Sequence, residues 1–141
     1  MNRIGGVIVS HGQLANELLA AAEQVVGELT HIRSVSIGWH DNVEAAQNEI
    51  ERAIEEVSGE KGVLLLTDMF GGTPTNISAM FIEKDKVEVV TGVNLPMVIR
   101  LASQTEELSL TEMAAAIEEQ GKESIYSASE LLVPQKLKKD A

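Results

Sequence analysis

The chain contains no cysteine. That excludes disulfides, thiol nucleophiles and cysteine-held metals together, and it fits a reducing cytoplasm, where we expect the protein to reside. Aromatic residues make up only 3% of the chain, so the core must be aliphatic. Basic residues are also scarce: 11 Lys and Arg stand against 22 Asp and Glu, a formal charge of −11 at pH 7. Binding to nucleic acid needs a basic face, so the balance argues against such a partner, whereas a basic protein would be steered toward this one. No stretch approaches the roughly 20 apolar residues of a membrane-spanning helix. The opening Met1-Asn2-Arg3, followed by Ile4 to Val9, is too short for a secretory signal core and ends in Ser10-His11 instead of a cleavage-like site. The expectation is therefore a protein with no direct membrane insertion.

What is present is enough for one domain with a real core: 141 residues, 44% hydrophobic and 23% charged. Two apolar runs stand out. Gly6-Val7-Ile8-Val9-Ser10-His11-Gly12 reads as a buried strand with a histidine where the chain leaves it. Gly62 to Thr67 is the most apolar run, suited to a central strand covered on both faces, and Asp68 ends it. Ile32 to Ile37 and Val87 to Thr91 read as two further strands, and Ile125 to Ala128 as a short last one.

Helical spacing fills the intervals. Leu14, Leu18, Ala21, Ala22, Val25 and Val26 recur at three and four residues and predict a buried helix face ended by Gly27. Asp41 and Glu44 have capping-box spacing before a helix marked by Val43, Ala46, Ile50, Ile54 and Val57. After the flexible Gly71-Gly72 turn, Thr73 as N-cap and Pro74 as first residue predict a helix to about Ile82. Gly92 to Pro96 leads into a helix carrying Val98, Leu101 and Ala102, and Ser109 with Glu112 opens another that Gly121 should end. Strands alternating with helices predict an α/β fold: a doubly wound, mainly parallel sheet with right-handed crossovers and helices on both faces. Residues 1–129 form the domain in this reading, and residues 130–141, with Lys136, Lys138 and Lys139, a C-terminal tail.

In such folds reacting groups gather at the carboxyl ends of the strands, where strand order reverses. If the first and third strands are neighbours, about 4.8 Å apart, His11 and Asp68 come within hydrogen-bonding reach. The carboxylate then takes the hydrogen of one ring nitrogen and leaves the other free as base, ligand or nucleophile. The surroundings favour an anion, because Gly71, Gly72 and Thr73 offer backbone amides at a helix start. A histidine nucleophile facing such a pocket can carry a phosphoryl group as a covalent intermediate.

Ser10-His11-Gly12, the run Thr67-Asp68-Met69-Phe70-Gly71-Gly72-Thr73-Pro74-Thr75-Asn76, and Gly92-Val93-Asn94-Leu95-Pro96-Met97 stand in one order. Together they resemble the enzyme IIA domain of the mannose/fructose/sorbose family of the bacterial phosphoenolpyruvate-dependent sugar phosphotransferase system, over about residues 3 to 128. The resemblance implies a phosphotransferase working through a phosphohistidine. His11 would accept the phosphoryl group on Nε2 from the carrier HPr, Asp68 would orient the ring through Nδ1, and a IIB protein would receive the group. Thr73 stands where the family often has serine, which keeps the hydroxyl for a phosphate contact. The resemblance also implies strand order 2-1-3-4 and a homodimer in which the last strand, Ile125 to Ala128, is exchanged. No metal or small cofactor is implied, because the donor is a phosphoprotein. Since no IIB domain follows in the sequence, a separate IIB protein is expected.

Each residue also has an ordinary structural meaning. A histidine after a strand can be a loop residue, an Asp before Gly-Gly turn chemistry, and Asn76 or Asn94 a local cap. His31 and His40 lack a second-ligand spacing and are read as solvent-exposed. Ser10 lacks the Gly-x-Ser-x-Gly pattern of a nucleophile elbow, and adjacent strand residues point to opposite faces. Met69 and Phe70 are either packing or a docking surface. Two other functions share the histidine chemistry: a phosphocarrier for dihydroxyacetone kinase, against which the Gly71-Gly72-Thr73-Pro74 block speaks, and a regulatory module whose phosphorylation controls a partner.

Overall fold

A computed structural model describes residues 3–38 and 42–132. The strands β1 (Gly5–His11), β2 (Ile32–Ile37), β3 (Val63–Thr67) and β4 (Val87–Thr91) form one sheet in the order β2-β1-β3-β4. All three pairings are parallel. The helices are α1 (Leu14–Val26), α2 (Val43–Val57), α3 (Gly72–Ala79), α4 (Leu95–Ala102) and α5 (Leu110–Glu123). Helices α1, α4 and α5 cover one face of the sheet, and α2 and α3 the other. This is the doubly wound arrangement expected, in the order the resemblance implied.

The pleat explains why β1 and β3 read as unbroken apolar runs. Ile8, Leu64 and Leu66 face α1, α4 and α5, while Val7, Val9, Val63 and Leu65 face α2. Both inner strands are buried on both faces, so neither face needs polar residues. Each fully buried Leu, Ile or Val side chain contributes about 1.5–3 kcal/mol, which makes these two strands the core of the fold.

Several local expectations needed correction. The buried stripe of α1 runs through Ala15 and Ala22, with Leu18 and Leu19 partly covered, whereas Leu14, Val25 and Val26 are exposed. Helix α2 is capped by Asn42, whose side chain accepts from the Glu44 and Ala45 N–H groups; Asp41 lies outside the described residues, as do His40 and the tail from residue 133. The N-cap of α3 is Gly71, not Thr73, and the helix stops at Ala79, short of Ile82. Gly121 does not end α5: it lies inside the helix, where an added Cβ would sit 2.6 Å from the Met97 sulfur, so close packing on α4 is what requires glycine. The expected strand over Ile125 to Ala128 is not formed in the single chain; residues 125–127 are irregular and a short helical stretch spans 128–132. The Ser109–Glu112 capping box and the Gly27 helix end are as expected.

His31 is the clearest reversal: it is buried, with 5% of its surface exposed. Arg3 lies with its guanidinium 3.2 Å from His31 Nδ1. Because arginine can only donate, Nδ1 is the unprotonated nitrogen and the ring is neutral. Burial lowers the His31 pKa, the Arg3 charge lowers it further, and the Leu101 backbone opposes both. The folded ring thus resists the proton that the unfolded ring accepts. Its contribution to stability is complete above the unfolded value of about 6.5 and declines as pH falls through it toward the lower folded value. Urea midpoints should therefore drop between pH 7.5 and pH 5 by more in the parent than in His31→Gln; equal slopes would show that His31 is not the linked group.

Candidate functional site

The chain crosses from β2 over β1 to reach β3, so the order reverses between β1 and β3, where a crevice opens at their carboxyl ends. In the register Val9 lies opposite Thr67. His11 is the last residue of β1, and Asp68 follows β3 directly. The parallel pairing delivers both side chains to that crevice.

There they join. Asp68 Oδ2 accepts from the His11 ring at Nδ1, 2.7 Å away, and from the His11 backbone N–H at 2.9 Å. A carboxylate can only accept, so the ring hydrogen sits on Nδ1 and the lone pair on Nε2. The His11 side chain is 51% exposed and that of Asp68 only 11%. Burial pushes the Asp68 carboxyl up, but the hydrogen bonds and charge of His11 outweigh it and hold the group below its usual value. The second oxygen, Oδ1, is buried with no protein partner among the described residues.

Beside the ring starts α3. Gly71 and Gly72 have φ of +83° and +79°, the left-handed region that glycine enters without strain. Their turn brings the first residues of the helix beside Nε2, since a Cβ built on Gly72 would lie 3.3 Å from that nitrogen. Thr73 follows on the exposed side of the first turn. The structure therefore brings His11, Asp68 and Gly72 together, with Gly71 and Thr73 flanking. Asn94 is elsewhere occupied: it caps α4 by accepting from the Met97 N–H and donates to the Gly121 carbonyl. Among the described residues no three His, Asp or Glu side chains converge as a metal site would require.

Residues 5–118 match the family model described as the fructose IIA component of the phosphotransferase system. The chain belongs to this family. Among relatives of this IIA chain, the fructose-specific EIIA component of Bacillus subtilis is 29% identical over 130 residues, covering 92% of this chain and 89% of that protein. The mannose-specific EIIAB component of Escherichia coli is 32% identical over 121 residues, 84% of this chain, which spans only 38% of that longer protein. The mannose/sorbose-specific IIA subunit from Enterococcus faecalis has a TM-score of 0.79 at 31% identity, covering 89% of this chain and 94% of that one. The IIA protein associated with the fucose utilization operon of Streptococcus pneumoniae has a TM-score of 0.80 at 27% identity, covering 92% and 96% respectively.

Three hydroxyls with no structural role assigned from sequence shape the frame around His11 and Asp68. Ser10 Oγ is buried and accepts from the Ala15 N–H at 2.6 Å, tying the first turn of α1 to the end of β1. Thr75 Oγ1 donates to the Met69 carbonyl, so Thr67 Oγ1, 2.7 Å away, must donate to Thr75. This chain links β3, α3 and the loop that carries Asp68. A polar residue ending an otherwise apolar buried strand was the available signal. Outside this frame Met69 and Phe70 project, 54% and 85% exposed, so they do not pack into the core.

Thr75→Val removes the central hydroxyl and leaves both the Met69 carbonyl and Thr67 unpaired, which should cost about 1–3 kcal/mol in urea unfolding. Adding Thr67→Val should recover part of that loss, because two apolar groups leave fewer orphaned polar atoms; a strictly additive double variant would contradict the hydroxyl chain.

Proposed function

We propose that this chain is the IIA phosphocarrier of a bacterial sugar phosphotransferase system: His11 accepts a phosphoryl group from phospho-HPr and passes it to a IIB protein. In the first step the Nε2 lone pair forms a bond to phosphorus while the N–P bond in HPr breaks, its electron pair returning to the HPr ring. In the second, the Nε2–P bond breaks as the IIB acceptor attacks. The observation that carries this reading is the fixed tautomer, with Nδ1–H held on Asp68 at 2.7 Å and Nε2 left beside the start of α3.

The roles follow from the chemistry. Attack makes the ring positive, and the Asp68 carboxylate stabilises that charge as it orients the ring. The first-turn amides at Gly71, Gly72 and Thr73, with the positive end of α3, receive the phosphoryl oxygens. Membership of the family supports HPr and IIB as partners, and the exposed Met69 and Phe70 beside the site give them an apolar surface to dock on. The net charge of −11 supports attraction of basic partners. A homodimer is supported by the exposed Ile125, Tyr126, Leu131 and Leu132 near the end of the described chain, which a strand exchange at the outer edge of β4 would cover. A cytoplasmic location fits the absence of cysteine; among the described residues no helix is long and apolar enough to cross a membrane. The relatives named for fructose, mannose and sorbose support sugar uptake as the process served.

Intact mass after incubation with phosphoenolpyruvate, enzyme I and HPr tests the reading. One added phosphoryl group is expected, absent when HPr is omitted and absent in His11→Ala. No addition, with HPr phosphorylated in the same tube, would defeat it. Asp68→Asn should stay folded yet accept the group about a hundredfold more slowly, because a neutral amide does not balance the charge that forms on the ring; an unaltered rate would remove Asp68 from the mechanism.

A further inference from the structure

Gly71 and Gly72 both have a positive φ but not the same environment. At Gly71 an added Cβ would meet nothing within 4 Å, so its φ of +83° alone accounts for glycine there. At Gly72 the same atom would lie 3.2 Å from His11 Cε1 and 3.3 Å from Nε2, tighter than ordinary van der Waals contact, with Pro74 Cδ behind it at 4.0 Å. The edge of the ring it would press is the one bearing the free lone pair.

Neither side can readily give way. The ring is held at Nδ1 by Asp68 Oδ2 at 2.7 Å, and the same oxygen is pinned by the His11 backbone N–H at 2.9 Å. Turning the imidazole away from a methyl at residue 72 would stretch that bond and redirect Nε2. The α3 side is anchored through Thr75, whose hydroxyl ties the helix to the Met69 carbonyl and to β3. The slot beside Nε2 therefore persists only while residue 72 has no side chain.

We propose that Gly72 is a positioning residue for phosphoryl transfer: its missing Cβ keeps open the space along the Cε1–Nε2 edge that a phosphoryl oxygen enters as the N–P bond forms. The inference rests on the carrier reading above. It separates the two glycines by their Cβ positions, which are open at Gly71 and against the reacting nitrogen at Gly72. Small displacements matter at such a site, since misplacing reacting atoms by about an ångström slows reactions around a hundredfold.

The test compares Gly72→Ala with Gly71→Ala, both of which put a side chain at a positive φ but only one of which places a methyl on the ring. Two phosphoryl donors are used: phospho-HPr, and phosphoramidate, which needs no docking surface. With phosphoramidate the Nε2 lone pair bonds to phosphorus, the phosphoramidate P–N bond breaks and ammonia leaves. Rates are scaled to the folded fraction from circular dichroism, so a shared loss of stability drops out. Gly72→Ala should react roughly tenfold or more slowly than Gly71→Ala with both donors. Its His11 Cε1–H resonance should also move, while that of Gly71→Ala stays near the parent position. Equal scaled rates, or an unmoved resonance, would overturn the role of Gly72. A parent that takes the group from phosphoramidate but not from HPr would defeat the carrier reading while leaving the glycine comparison intact; a parent that reacts with neither would defeat both.

Discussion

Everything at the site depends on one carboxylate oxygen. Asp68 Oδ2 accepts from both the backbone and the ring of His11, and so fixes where β1 ends, how the imidazole is turned and which nitrogen carries the hydrogen. The pair is half open to water on the histidine side, so its direct contribution to stability is small, of the order of an exposed ion pair at about 0–1 kcal/mol. Its worth is geometric. It exists because β1 and β3 are parallel neighbours at the point where strand order reverses, and nothing local to either segment could have produced it.

Around that bond the protein accepts unfavourable features that a purely structural turn would avoid. Asp68 Oδ1 is buried without a protein partner among the described residues, and the chain passes through two consecutive residues of positive φ as α3 begins. The frame that holds these features is strong: apolar inner strands beneath, and the Thr67–Thr75–Met69 hydroxyl chain binding the loop to strand and helix. A rigid sheet edge thus presents the loop that carries Asp68, with Phe70 projecting into solvent next to it.

How much of this could be read beforehand depended on whether a feature was local. The runs Gly6–Gly12 and Gly62–Thr67 announced buried strands because burial leaves few polar positions, and the Ser109–Glu112 box formed because capping involves one turn of chain. Thr73 misled for the opposite reason. Its type suits an N-cap, but the Gly71-Gly72 turn starts the helix two residues earlier and leaves Thr73 on the outer surface. His31 reads as exposed in the sequence because no second-ligand spacing gives it a role; the fold buries it just before β2, beside Arg3. Gly121 looked like a helix end until Met97 was seen against it.

The sequence by itself determined the alternation of strands and helices, the all-aliphatic core, the acidic surface, and the identity of the paired groups, His11 and Asp68, at the ends of their strands. These are properties of composition and of short-range spacing, which the backbone obeys wherever the segment lies. Only the tertiary structure decided that β1 lies between β2 and β3, that Oδ2 serves two donors, that His31 is neutral and buried, and that a side chain on Gly72 would press on His11 Nε2. Each of those joins residues far apart in the chain, and which distant surfaces meet is settled by the packing of the whole sheet with its helices, not by any one stretch of it.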